Sequence, residues 1–504
     1  MNPDRPRRVL ENLSRFLLTD FDELMAERLA ADPRDRLLAL FRRVVEQVPA
    51  YRRLLLERSV NPDAVADFAA YERLPLTTKP DYMQAFDLPE RCAGGELTAC
   101  EKLAVSSGST GTPTFWPRAS THELDVALRF EQVFRHSFRA HERKTLAVVC
   151  FPLGNWVGGV YTASCCWLLA QKGYPVTVAT PGNKADEIIR VVRELGPYFE
   201  QTVLLGYPPF VKDVLDTGRS QGMDWSSYRI KFVFAGEVFS EEWRELMGER
   251  VGSTDPCRDS ASLYGTADGG VLGNETPLSI AIRRFLAQTP DAARALFGES
   301  RLPTLVQYDP SSRYFEVVDD TLVVSGDNGV PLIRYHIADR GGVISHDDLR
   351  AFLESWGVDS LEAWGLPDAE ATLPLPFVWV FGRADFTVSY YGANIYPENV
   401  TVGLERAEFR PWVSGKFVME TRHDASENEF LRITVELLPD IQADEEKAFL
   451  LAHSIQRELL RLNSEFANYV PTEKQTPSIA LRAFGDTEYF PIGVKHRYTR
   501  KGAV

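Results

Sequence analysis

The sequence predicts an α/β protein: a large N-terminal part with helix-covered, mostly parallel sheets and a β-rich subdomain, followed by a small α+β part. Three observations carry this. From Thr145 onward, short apolar runs alternate with amphipathic stretches of helical period. Between Tyr314 and Ile344 the pattern turns to β-hairpin material, and after Gly382 a shorter strand–strand–helix pattern takes over.

From Ala30 to Leu56 apolar residues recur at helical spacing with Arg and Glu between them, so the N-terminal region is helical. Leu103-Ala-Val105 and Phe115-Trp116 are short strand signals. Leu146–Phe151 is a buried strand. Thr145 to Gln171 carries no charge and is long enough in principle to span a bilayer. Pro152, Gly154, Asn155, Gly158 and Gly159 interrupt it, so it reads as strand, glycine-rich turn and buried helix, with no membrane insertion. Pro175–Ala179, the helix Asp186–Leu195, Val203–Leu205, the helix Pro209–Leu215 and Lys231–Phe234 continue a βαβα order that demands a parallel sheet. Strands near Lys416–Met419 and Leu431–Leu437 and a helix Asp444–Leu462 form the last part. A boundary near Phe381–Phe386 divides the chain into residues 1–382 and 383–504.

With 504 residues and 44% hydrophobic content, the chain buries large cores and divides into two or more domains. A net charge of −15 without a Lys/Arg stripe argues against nucleic-acid binding. Cys92, Cys100, Cys150, Cys165, Cys166 and Cys257 include no CxxC pair and no zinc spacing to His. They read as buried, reduced thiols of a cytoplasmic protein, and the N-terminus has no signal-peptide core.

Between the strand signals lies Val105-Ser-Ser-Gly-Ser-Thr-Gly-Thr-Pro-Thr114. Such a loop wraps a polyphosphate: glycine lets the backbone turn, the turned N–H groups point at phosphate oxygens, and hydroxyls add donors. A plain Ser/Gly linker is the competing reading, and the flanking strands oppose it. The stretch is no Walker loop, since Thr112 follows Gly111 where a lysine would stand, so the lysine for ATP chemistry must come from elsewhere.

Several further segments accompany the loop. Val48-Pro-Ala-Tyr51 and Leu74-Pro-Leu-Thr-Thr-Lys-Pro-Asp81 precede it. Phe151-Pro-Leu-Gly-Asn-Trp-Val-Gly-Gly159, Ala235-Gly-Glu237, Tyr264-Gly-Thr-Ala-Asp268, Pro331-Leu-Ile-Arg-Tyr335 leading to Asp339, and Gly382-Arg-Ala-Asp-Phe386 continuing through Gly392, Asn394 and Pro397 follow it. In this order they resemble the adenylate-forming superfamily, most closely its phenylacetate–CoA ligase-like branch.

The resemblance implies ATP-dependent activation of a carboxylic acid as an acyl-adenylate, then transfer to a thiol. CoA is the leading acceptor, with a carrier-protein thiol or an amine as alternatives. It implies that Ser106, Ser107, Gly108, Ser109, Thr110, Gly111 and Thr112 hold the β- and γ-phosphates, and that Asp268 helps hold Mg²⁺. Gly236, Glu237, Tyr264, Gly265 and Thr266 would border adenine and phosphates, and Asp339 and Arg383 the ribose. Phe151, Trp156, Gly158, Tyr161 and Phe234 are pocket candidates for an aryl or acyl acid, with core packing as the competing reading. The sought lysine is Lys495, with Lys501 the second choice and a plain basic tail the bland reading. In the resemblance the C-terminal part is mobile about hinge Asp385, with Gly392 at the thiol channel. A homodimer stays among the oligomeric options.

Three departures stand out. Ala267 and Asp268 replace the usual Thr/Ser and Glu, Ser345–Pro376 is longer than the family's link and reads as an extra helical element, and Asn399-Val400 replaces an acidic end. They keep a second class alive, a catalytically weakened nucleotide-binding homologue.

Overall fold

Among the described residues eleven strands form one sheet, and its strand polarity decides where a ligand can sit. The computed structural model describes residues 4–105, 114–155, 157–299, 301–358, 360, 364, 373–383, 388–391, 393–423, 429–463, 466–467, 470–491 and 496–500. β1 (Lys102–Val105) and β2 (Phe115–Arg118) form an antiparallel pair flanking the Ser/Gly/Thr stretch. β3 (Thr145–Val149), β4 (Val176–Ala179), β5 (Gln201–Gly206), β6 (Ile230–Ala235) and β7 (Ser260–Thr266) are mutually parallel. β8 (Gly270–Asn274), β9 (Thr304–Gln307), β10 (Arg313–Val318), β11 (Thr321–Gly326), β12 (Leu332–Ile344) and β13 (Phe377–Arg383) continue the same sheet antiparallel, in the order β10-β11-β12-β13-β9-β8-β7-β6-β5-β3-β4.

The parallel half and the β-rich portion are therefore one continuous surface, joined where β8 turns back on β7. The predicted βα alternation is present, with helices Gly159–Gln171, Ala185–Leu195 and Pro208–Ser220 between the strands. β3 and β5 are buried at every position, because helices cover both faces of a parallel sheet. One face packs Phe151, Cys165 and Leu205 with Phe130 and Phe134; the other packs Leu146, Leu204, Phe232 and Phe234 with Trp225 and Trp243.

The helical N-terminus consists of Asp4–Leu18, Phe21–Ala30, Pro33–Gln47 and Pro49–Glu57. The break between the last two falls at Val48-Pro49, with proline at the first helical position, where its missing N–H is least costly. Helix His346–Ser355 supplies a helical element after β12. Among the described residues no helix is long and apolar enough to cross a membrane. All six cysteines are free; Cys92, Cys150, Cys165 and Cys166 are buried, whereas Cys100 and Cys257 are only half-buried.

β14 (Val388–Tyr390) and β15 (Ala393–Ile395) form a hairpin, and β16 (Val413–His423), β17 (Glu429–Leu437) and β18 (Ser478–Arg482) a separate three-stranded sheet. Helix Glu445–Leu462, capped by Asp444, covers that sheet through Leu451, Ile455 and Leu459. Asn399 caps its own helix by accepting from the Tyr396 N–H at 3.1 Å and also accepts from Asn463 at 3.1 Å, work that an acidic residue there would share. Residues 496–500 return along β16, with the Met419 N–H donating to Tyr498 O at 2.7 Å and the Arg500 N–H to Met419 O at 3.1 Å.

Candidate active site

The carboxyl ends of parallel strands are where an open α/β sheet leaves a crevice for ligands. Three of the segments quoted above converge there. Phe151 follows β3, Gly236 and Glu237 follow β6, Tyr264 to Thr266 end β7, and Asp268 occupies the turn into β8.

Asp339, on β12, is buried and accepts a hydrogen bond from the Tyr264 hydroxyl at 2.7 Å. Burial first, and then this carboxylate, push the Tyr264 hydroxyl well above its ordinary pKa, so it stays a donor. The register of β12 on β13 sets Asp339 opposite Arg383. The ring of Tyr264 stacks on Phe315 at 6.4 Å.

Asp268 is half-buried and its Oδ2 accepts from the Tyr335 hydroxyl at 2.5 Å. The turn carrying it is braced at three successive carbonyls: Arg118 Nη2 donates to Ala267 O at 2.6 Å, Asn328 Nδ2 to Asp268 O at 3.4 Å, and Arg313 Nε to Gly269 O at 3.2 Å. Thr266 Oγ1 closes the turn by accepting from the Gly269 N–H at 2.9 Å. A half-buried carboxylate with a fixed orientation suits Mg²⁺, which takes one or two carboxylates and completes its octahedron with water and phosphate oxygens.

Gly236 has φ +87°, and a Cβ there would lie 2.7 Å from the Tyr207 ring, so this glycine is required by conformation and by space. Tyr207 in turn meets Phe151 edge-on at 5.0 Å. Gly158 lies against the Phe151 ring, and half-buried Tyr161 lies beneath the Arg118 guanidinium at 5.7 Å. Phe234 does not join them. It is fully buried on the opposite face of the sheet, against Phe239 and Trp243 at 5.3 and 5.1 Å, and is core. Glu237 accepts from the Tyr498 hydroxyl at 3.0 Å, which brings the end of the chain onto this edge. Ser106, Ser107, Gly108, Ser109, Thr110, Gly111, Thr112, Trp156, Asp385, Gly392, Lys495 and Lys501 lie outside the described residues.

Five residues here escaped sequence reasoning: Arg118, Tyr207, Asn328, Arg313 and Tyr498. Tyr335 lay within a quoted segment but had no role. The Leu74–Asp81 signature also gains one: the Thr77 N–H donates to Arg334 O at 3.0 Å and the His336 N–H to Thr77 O at 2.8 Å, so the signature holds the start of β12 from outside the sheet.

No family model matches the chain. Over 259 residues it is 24% identical to phenylacetate–coenzyme A ligases of Aromatoleum evansii and Thermus thermophilus, matching 50% and 51% of this chain. The chain spans about half the length of these curated relatives, 53% and 54%. In fold it matches 2-hydroxyisobutyryl-CoA ligase in a postadenylation state, with a TM-score of 0.62 at 15% identity over 93% of this chain and 88% of that one. In sequence the chain is thus similar to phenylacetate–coenzyme A ligases over about half its length, and it shares the fold of a CoA ligase. An open form of the same structural neighbour, in complex with 2-HIB-AMP and CoA, gives a TM-score of 0.52 at 14% identity.

Proposed function

We propose that this protein is an AMP-forming acid–thiol ligase. It joins a small aryl or acyl carboxylate to ATP as an acyl-adenylate, releases pyrophosphate, and passes the acyl group to a thiol, CoA first among acceptors. The observation that carries the reading is the 2.7 Å bond from Tyr264 to Asp339, which joins two family motifs 75 residues apart in the crevice where a nucleotide belongs. Relatives named as phenylacetate–CoA ligases support it.

In this reading a carboxylate oxygen attacks the α-phosphorus, and the bond to the bridging oxygen breaks with its electron pair leaving on pyrophosphate. A thiolate then attacks the acyl carbon and AMP departs. Asp339 accepts from the ribose hydroxyls beside Arg383, while Gly236, Glu237 and Tyr264 border adenine. Ser106 to Thr112 grip the outer phosphates. Mg²⁺, held through Asp268, neutralises phosphate charge when bound. Lys495 spreads positive charge over the carboxylate and α-phosphate, as electrostatic catalysis requires. Supporting it, Tyr498, three residues further on, reaches Glu237. Residues 383–504 would swing about Asp385, bringing Gly392 to the thiol channel for the second half-reaction.

Pyrophosphate exchange into ATP, screened over a panel of carboxylic acids, tests this. Exchange with an aryl or acyl acid is expected, and Lys495→Ala should abolish it while ATP still binds. Exchange surviving in Lys495→Ala would remove that lysine from the mechanism. A folded, ATP-binding protein that exchanges with no acid would instead be the weakened homologue that Ala267 and Asp268 leave in view.

A further inference from the structure

The amino ends of the parallel strands, at the far edge of the sheet from the crevice, carry a cavity of about 820 Å³, a volume typical of small-molecule sites. Its wall includes Arg143, just before β3; Arg229 and Lys231, at the start of β6; and Arg258 and Asp259, just before β7. Gly236 follows the other end of β6. At about 3.3 Å per residue the strand keeps the two regions roughly 20 Å apart, so this cavity is not part of the nucleotide crevice.

In a chain of net charge −15, the lining holds six Lys/Arg against four carboxylates. Those carboxylates are already engaged. Lys231 is bonded to Asp259, and Arg258 to Asp255 at 3.3 Å. Arg139 holds Glu142 at 2.6 Å and Arg135 holds Asp22 at 2.7 Å. Among the described residues neither Arg143 nor Arg229 makes a direct ion pair; Glu142, held by Arg139, feels the charge of Arg143 only at longer range. Two guanidiniums thus line one concave space without a salt bridge of their own.

Arg229 adds a second observation. It stands at φ +45° on the residue that ends the short helix Trp225–Tyr228, a left-handed position that glycine or asparagine fills at least strain. A long cation is kept there nonetheless, on the wall of the cavity. Guanidiniums offer forked donors that match the oxygens of phosphate, and within a cavity of this size they suit more than one phosphoryl group.

We infer that this cavity is a second ligand site, separate from the crevice, that binds a soluble phosphorylated small molecule through Arg143 and Arg229. The inference does not depend on the proposed ligase activity.

Calorimetric titration of the full chain with inorganic tripolyphosphate tests it, using two variants. Arg143→Gln/Arg229→Gly removes both charges without breaking an ion pair, and glycine suits the left-handed φ, so its melting temperature should not fall. Ser107→Ala/Thr110→Ala weakens the phosphate loop instead. A binding event that persists in the loop variant, and weakens at least tenfold in the cavity variant, is the expected result. Tripolyphosphate binding that vanishes with the loop variant and is untouched by Arg143→Gln/Arg229→Gly overturns the site. Duplex DNA binding tighter than tripolyphosphate, and lost in the cavity variant, overturns the small-molecule assignment.

Discussion

Asp268 is one methylene shorter than the glutamate usual at its position, and what it lacks in reach its neighbours replace with restraint. Three side chains fix the carbonyls of residues 267 to 269, and the Tyr335 hydroxyl fixes the carboxylate at 2.5 Å. Arg118 and Arg313 share a single acceptor, Asn328 Oδ1, at 3.3 and 2.9 Å. Burial lowers the pKa of the Arg118 guanidinium from its ordinary value. On the proposed reading that Asp268 helps hold Mg²⁺, Tyr335→Phe isolates the contribution of this hydroxyl. A hydrogen bond to a charged group is worth about 1.5–3 kcal/mol, so the Mg²⁺ concentration for half-maximal exchange should rise about tenfold or more. An Mg²⁺ titration with unchanged midpoint would show that the hydroxyl does not orient the carboxylate.

At the scale of elements, the joint between β3 and helix Gly159–Gln171 has the least room. A Cβ on Gly159 would stand 2.2 Å from the Pro152 carbonyl oxygen, whereas one on Gly158 would meet only the Phe151 ring at 3.3 Å. Gly159→Ala should therefore destabilise by about 2–4 kcal/mol and Gly158→Ala by far less, read from urea unfolding midpoints. This joint also marks how far the sequence could be read. Its strand, glycine turn and helix were legible because hydrophobic period and backbone breakers are local signals, and the same holds for β16, β17 and the helix capped by Asp444. Tyr335 on Asp268, Arg118 on Ala267 and Tyr498 on Glu237 join residues 67, 149 and 261 apart. Such pairs depend on strand order and register, for which a single chain offers no local signal. Phe234 misled for a related reason: an aromatic near a strand end reads alike whichever face it takes.

At the scale of the whole molecule, the three-stranded sheet and its flanking helices meet the parallel half through ionisable groups, Lys416, Asp213 and Glu405 among them buried. Lys416 on β16 is bonded to Asp213 in helix Pro208–Ser220, Ser240 donates to Glu405, and Arg410 reaches Glu249 at 2.6 Å. Burial pushes Asp213 up to about 6 and Glu405 up to about 8. Both folded values lie above the unfolded ones near 4, so the stability these protonated carboxyls contribute is complete below about pH 4 and drains as pH rises through 6 and then 8. Unfolding midpoints should accordingly fall between about pH 4 and 8 and level off above that, and Glu405→Gln, a permanent mimic of the protonated acid, should flatten the part of the fall between pH 6 and 8. A parallel decline in the variant would remove Glu405 as its source. The bond from Tyr498 to Glu237 has a further thermodynamic meaning. If adenine binding alters that carboxylate, nucleotide affinity and docking of the chain's end are linked functions. Whatever factor the docked tail applies to the nucleotide's dissociation constant, the nucleotide must return to the tail, so one affinity measured in two tail states would report the equilibrium of the other.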